Sequence, residues 1–115
     1  MKDLTYADRT VLLGDEAADL IIQLSALLAE TGHADSVTLN AIDHDGTVVS
    51  ASFVLGSGTN VMAQSSNSPL PEPDNDRGVA YMRERIRSIV EPTQASPQSE
   101  PAAPDDDFDF LPDRP

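Results

Sequence analysis

The amino-acid sequence predicts a two-layer α+β domain, and three observations carry that reading. Residues 15–31 repeat apolar side chains at three- and four-residue steps, the spacing of one helical face. Residues 37–55 alternate apolar and polar side chains around an Asp-Gly turn, the period of a half-buried sheet. After Pro92 the composition changes abruptly, with six of the nine prolines falling in the last 24 residues. Together these give a small antiparallel sheet of three to four strands with two helices on one face, in the order (β)αβββα over residues 5–91. A disordered acidic tail, rich in Pro and Asp, is expected over residues 92–115.

Each element has its own signal. The short apolar run Thr10-Val11-Leu12-Leu13 is bounded by Arg9 and Gly14 and reads as a short strand. The first helix brings Ala17, Leu20, Ile21, Leu24, Leu27 and Leu28 onto one side. Asp15 is placed to cap its first amides, Glu16 and Asp19 complement its dipole, and Gly32 ends it in the left-handed conformation. Val37, Leu39 and Ala41 then face the same way as Val49, Ala51, Phe53 and Leu55 across the turn Asp43-His44-Asp45-Gly46, whose Asp-Gly pair suits a tight hairpin. A third strand over residues 60–64 is expected to continue this hairpin as a meander. The proline-bearing stretch 65–73 ends the sheet. A second helix starts near Asp74, with Val79, Met82, Ile86, Ile89 and Val90 at core spacing, and stops before Pro92.

Composition narrows the functional classes. Seven basic residues stand against twenty acidic ones, a formal charge of −13 that repels phosphate backbones and anionic lipid. Neither nucleic acid nor a membrane is therefore expected as a partner, whereas a protein, such as a basic one, is. The chain has no Cys, which excludes disulfides, thiolate nucleophiles and Cys-based metal sites. No secretory pattern or membrane-length apolar run is present, so a cytoplasmic protein is expected. One Lys against six Arg fits a bacterium with a GC-rich genome.

Two groups of residues stand out as candidate partner-binding sites. In the tail, carboxylates surround Phe108, Phe110 and Leu111, a composition suited to docking apolar groups in a shallow pocket while charge steers the encounter. On the second helix Arg77, Tyr81 and Arg85 stand at four-residue steps along one side, two cations flanking a ring. The two groups are complementary, so the helix stripe is a candidate receptor for the protein's own tail. A solubilising tail and a solvated helix face, with Arg87 paired to Glu84 and Glu91, are the plain alternatives.

Other motifs carry less. The Asp43–Gly46 turn lacks the distal bidentate Glu of a calcium loop, and His33 and His44 lie in polar turns, so no metal and no cofactor is expected. Gly56-Ser57-Gly58 is neither a nucleophile elbow nor a phosphate loop, and reads as a turn. With so few bases and nucleophiles, catalysis is not expected.

The expected function is that of a small acidic, non-enzymatic protein-interaction module, an adaptor or regulator. The sheet face bearing Thr38, Asn40, Ile42, Val48, Ser50, Ser52 and Val54 is suited to a homodimer or partner contact. The alternatives are a neutralising partner of a basic protein, antitoxin- or immunity-like, and a small carboxylate-based or metal-dependent enzyme.

Overall fold

A computed structural model describes residues 1–91 of the chain. The readings made for residues 92–115, including those for Phe108, Phe110 and Leu111, lie outside the described residues.

The element order is β1 (Lys2–Tyr6), β2 (Arg9–Leu13), α1 (Asp15–Thr31), β3 (Ala34–Ile42), β4 (Val48–Gly56), β5 (Val61–Ser65) and α2 (Asp76–Val90). The strands form one antiparallel sheet in the order β4-β3-β2-β1-β5, with the two helices completing an α+β fold. Both helices and the β3–β4 hairpin stand where the periodicity puts them. In that hairpin Val37, Leu39, Ala41, Phe53 and Leu55 are buried, and Gly46 takes φ 85° in the turn. Gly32 ends α1 at φ 72°, and the next amide, of His33, bonds back to the Leu28 carbonyl.

Five expectations need correction. The sheet has five strands, because Lys2–Tyr6 forms an N-terminal strand paired along its whole length with β2. The strand after Gly58 does not extend a meander: β5 pairs with β1, Leu4 opposite Ala63, at the far edge from β4. Asp15 is not the N-cap of α1; Gly14 holds that position without a side-chain cap, and the Asp15 carboxylate lies 2.9 Å from the N-terminal ammonium of Met1. Ile42 is buried rather than part of an open face, because it lies where β2 joins β3, opposite Leu12. The α2 helix begins at Asp76, two residues later than the sequence suggests.

Strand order and chain length together force the sheet to roll. β4 and β5 occupy opposite edges, yet only residues 57–60 connect them, a link that reaches about 17 Å at full extension and less here, because the Thr59 amide bonds back to the Gly56 carbonyl at 3.2 Å. A flat five-stranded sheet would hold its edge strands about 19 Å apart. The roll is fixed at that end by Tyr6, whose hydroxyl donates to the Val54 carbonyl at 2.5 Å. The Tyr6 and Phe53 rings meet edge to face with centroids 5.6 Å apart. At the other end β2 and β3 share a single paired position, Leu12 with Ile42, so the β3–β4 hairpin projects past β2.

The core fills the inside of this roll. Leu4 and Leu13 from the first hairpin meet Leu20, Ile21, Leu24 and Leu28 of α1, and Met82 and Ile86 of α2 close the layer. Among the described residues the only polar side chain buried with them is Ser25. No described helix is long and apolar enough to cross a membrane.

Candidate functional site

The most distinctive surface is the outer edge of β4. Its backbone geometry follows from Asn40 on the neighbouring strand. The Asn75 side chain accepts from the Asn40 amide at 2.7 Å and donates to the Asn40 carbonyl at 2.8 Å. Those two groups therefore point away from β4. Asn40 is registered opposite Ser50, and in an antiparallel ladder such pairs turn both residues' N–H and C=O outward. The amides and carbonyls of Val48, Ser50, Ser52 and Val54 thus line the free edge. Val54 bears this out, since its carbonyl receives Tyr6 and also the Thr59 hydroxyl at 3.3 Å. Among the described residues nothing hydrogen-bonds the outward backbone groups of Ser50 and Ser52.

Beside this edge the roll leaves a cleft of about 360 Å³. Leu4, Tyr6 and Val11 line one side and Val49, Ala51 and Phe53, with Ser50 and Ser52 between them, the other, while Arg9 and Asp43 complete the lining. The Asp43 carboxyl is held below its ordinary value, first by the backbone amide of His44 and to a small extent by the positive charge of Arg9. An apolar trough flanked by unpaired backbone donors and acceptors can accept an extended chain whose alternate side chains are apolar.

Sequence reading missed this site, although one signal was present. Residues 46–71 contain no charged residue at all, in a chain of which 23% is charged. Both edge strands, β4 and β5, fall within that stretch. Edge strands ordinarily carry Lys, other charges or Pro to block pairing with foreign strands. Here that protection is missing, and Val48, Val54 and Met62 are exposed along the two edges.

The helix stripe is only partly free. Asp35, a half-buried carboxylate on β3, accepts from the Tyr81 hydroxyl at 2.5 Å and from the Arg85 Nε at 3.1 Å. Burial pushes this carboxyl up, but the bonds from Tyr81, the Ser36 amide and Arg85 together outweigh that and hold it below its usual range. Its bond with Asp35 pushes the Tyr81 phenol up. The structure therefore joins Tyr81 and Arg85 on a shared acid that no local pattern revealed, 46 and 50 residues away. Arg77 lines a shallow groove with Thr38, Gly78 and Tyr81. Arg87 pairs with Glu84, and Arg83 with Glu16 of α1.

The remaining titratable groups are dispersed. Asp43 and Asp45 turn their carboxylates onto the amides of His44 and Thr47 within the hairpin turn. His33 bonds Thr31 beside the end of α1. Among the described residues no three His, Asp or Glu side chains converge in a way that could hold a metal ion. No protein-family model matches the chain, and no curated protein and no solved structure matches it either.

Proposed function

We propose that this chain is a small acidic protein-interaction module, an adaptor or regulator without catalytic activity, which takes an extended peptide along the free edge of β4. The observation that carries the reading is the coincidence of an unpaired, uncharged strand edge with an apolar cleft at its side. Main-chain pairing would supply much of the affinity, and pockets for alternate side chains the selectivity.

The chemistry of the acids favours this reading over a carboxylate enzyme. A general acid needs its proton retained near neutrality, through burial or a like charge. The one carboxylate on the main cleft, Asp43, is shifted the opposite way. A neutraliser of a basic protein would meet its target through a charged surface, whereas this cleft and its edge are nearly uncharged.

The test uses two full-length variants. Ser50→Pro removes an outward amide, a change that edge strands tolerate because that amide belongs to no ladder. Ala51→Arg fills the cleft. With circular dichroism and melting unchanged, both variants should lose the proteins that the native chain retains from a cell extract. Retention unaltered by either substitution would contradict the proposal.

A further inference from the structure

Resting on the reading of the β4 edge as a peptide-binding surface, we infer that its resident occupant is the protein's own residues 105–111, laid antiparallel to β4 with Phe108 and Phe110 in the cleft. Four features point to this segment. First, Asp107-Phe108-Asp109-Phe110 alternates acid and ring with period two, so a strand made from it would carry both rings on one side and both carboxylates on the other. The free edge, with the apolar trough along one side only, calls for that division.

Second, the lengths agree. Pro104 and Pro112 bracket seven proline-free residues, enough to cover the five from Val48 to Ser52 over which the outward groups of β4 are unbonded, the Val54 carbonyl beyond them being held by Tyr6 and Thr59. A proline cannot extend a ladder, so each would end the pairing.

Third, the chain can reach. The last turn of α2, with Ser88 and Ile89, lies beside Thr31 and His33, just before the start of β3. The first residue of β3, Ala34, is registered opposite Gly56, the end of β4. From there to Ser50 is about 20 Å of strand, whereas residues 92–107 extend to roughly 50 Å. A chain arriving at the Gly56 end and running toward Val48 is antiparallel to β4.

Fourth, the charges allow it. A strongly acidic segment is repelled by most of a chain carrying −13, but residues 46–71 add no carboxylate to the edge, and Arg9 lines the cleft along with Asp43. The helix stripe, by contrast, has Arg85 and Tyr81 already engaged by Asp35 and no comparable apolar trough. Tethering raises the local concentration of the segment to the millimolar range, so a modest intrinsic affinity suffices. A segment held in this way occupies the surface proposed for partners, and a partner must displace it.

Hydrogen exchange tests the inference in the full-length protein. Replacing both rings, Phe108→Ser with Phe110→Ser, leaves the folded body untouched. The Ser50 and Ser52 amides should then exchange roughly tenfold faster, while the amides of Leu39 and Leu55 keep their rates. Equal rates at Ser50 and Ser52 in the two proteins would overturn the inference. So would tail-dependent shifts confined to Arg77, Tyr81 and Arg85, which would place the tail on the helix, or protection that grows with protein concentration, which would make a second copy the occupant. If the tail gives no protection yet Ser50→Pro still abolishes partner retention, the occupant is wrong and the peptide-binding edge stands.

Discussion

At Asn40 the β3 ladder has lost its neighbour, because β2 ends one residue past Leu12, and the amide of Asn75 takes over both backbone bonds. Asn40 returns a third bond through its side chain to the Asp74 carbonyl at 2.9 Å. Asn75→Ala leaves a donor and an acceptor of the exposed Asn40 to water and should cost about 1 kcal/mol in chemical denaturation, with faster exchange of the Asn40 amide. A second residue-scale contact, Asp35 with Tyr81 and Arg85, sets a pH dependence. Its folded-state pKa lies below the ordinary 3.8, so the stability it adds is complete above that value and is lost as the pH falls through the lower one. Asp35→Asn should therefore melt earlier than the native protein at pH 6, and the difference should shrink toward zero as the medium is acidified below pH 3. A difference that persists in strong acid would show that the contact acts through shape rather than charge. Neither arrangement was legible in the sequence. Asn75 and Asp35 are ordinary polar residues in their own neighbourhoods, and their partners lie 35 to 50 positions away.

At the scale of elements, periodicity sufficed wherever one face of a long segment is buried. It located α1 and the β3–β4 hairpin, including the Gly32 and Gly46 positions with positive φ. It missed β1, where Leu4 and Tyr6 are the only apolar residues in five, and it gave β5 the wrong neighbour. A strand that follows a hairpin usually pairs with the nearest one in sequence. What diverts β5 is the edge of β1, held ready by its hairpin with β2, and the Tyr6 bond that draws β4 toward the same end. The β1–β2 turn places Ala7 at φ 56°, a conformation that costs an L-residue roughly 1 kcal/mol or more. Ala7→Gly should raise stability by about 0.5 kcal/mol after the added freedom of the unfolded chain is deducted. Gly56 behaves oppositely. It sits at φ 146°, and a Cβ there would come within 2.7 Å of the His33 carbonyl oxygen. Gly56→Ala should cost more than about 2 kcal/mol, because backbone, not a movable side chain, stands in the way.

Over the whole molecule, charge and its absence are segregated. Twenty acids surround a continuous uncharged stretch that supplies both sheet edges, a pattern visible in the sequence but meaningful only once the strand order is known. If partners bind at the β4 edge, their affinity should vary little with ionic strength, since pairing and apolar contact are only weakly screened. A steep loss of on-rate with added salt would instead favour a basic protein as the target. All of this depends on the rolled sheet, with β5 closing on β1 and β4 left with an open side. Cross-strand NOEs between α-protons report that arrangement most directly, because the Cα atoms of non-hydrogen-bonded pairs approach closest. Contacts between Leu4 and Ala63, and between Lys2 and Ser65, are predicted, whereas α-proton contacts joining β4 to β5 would contradict it.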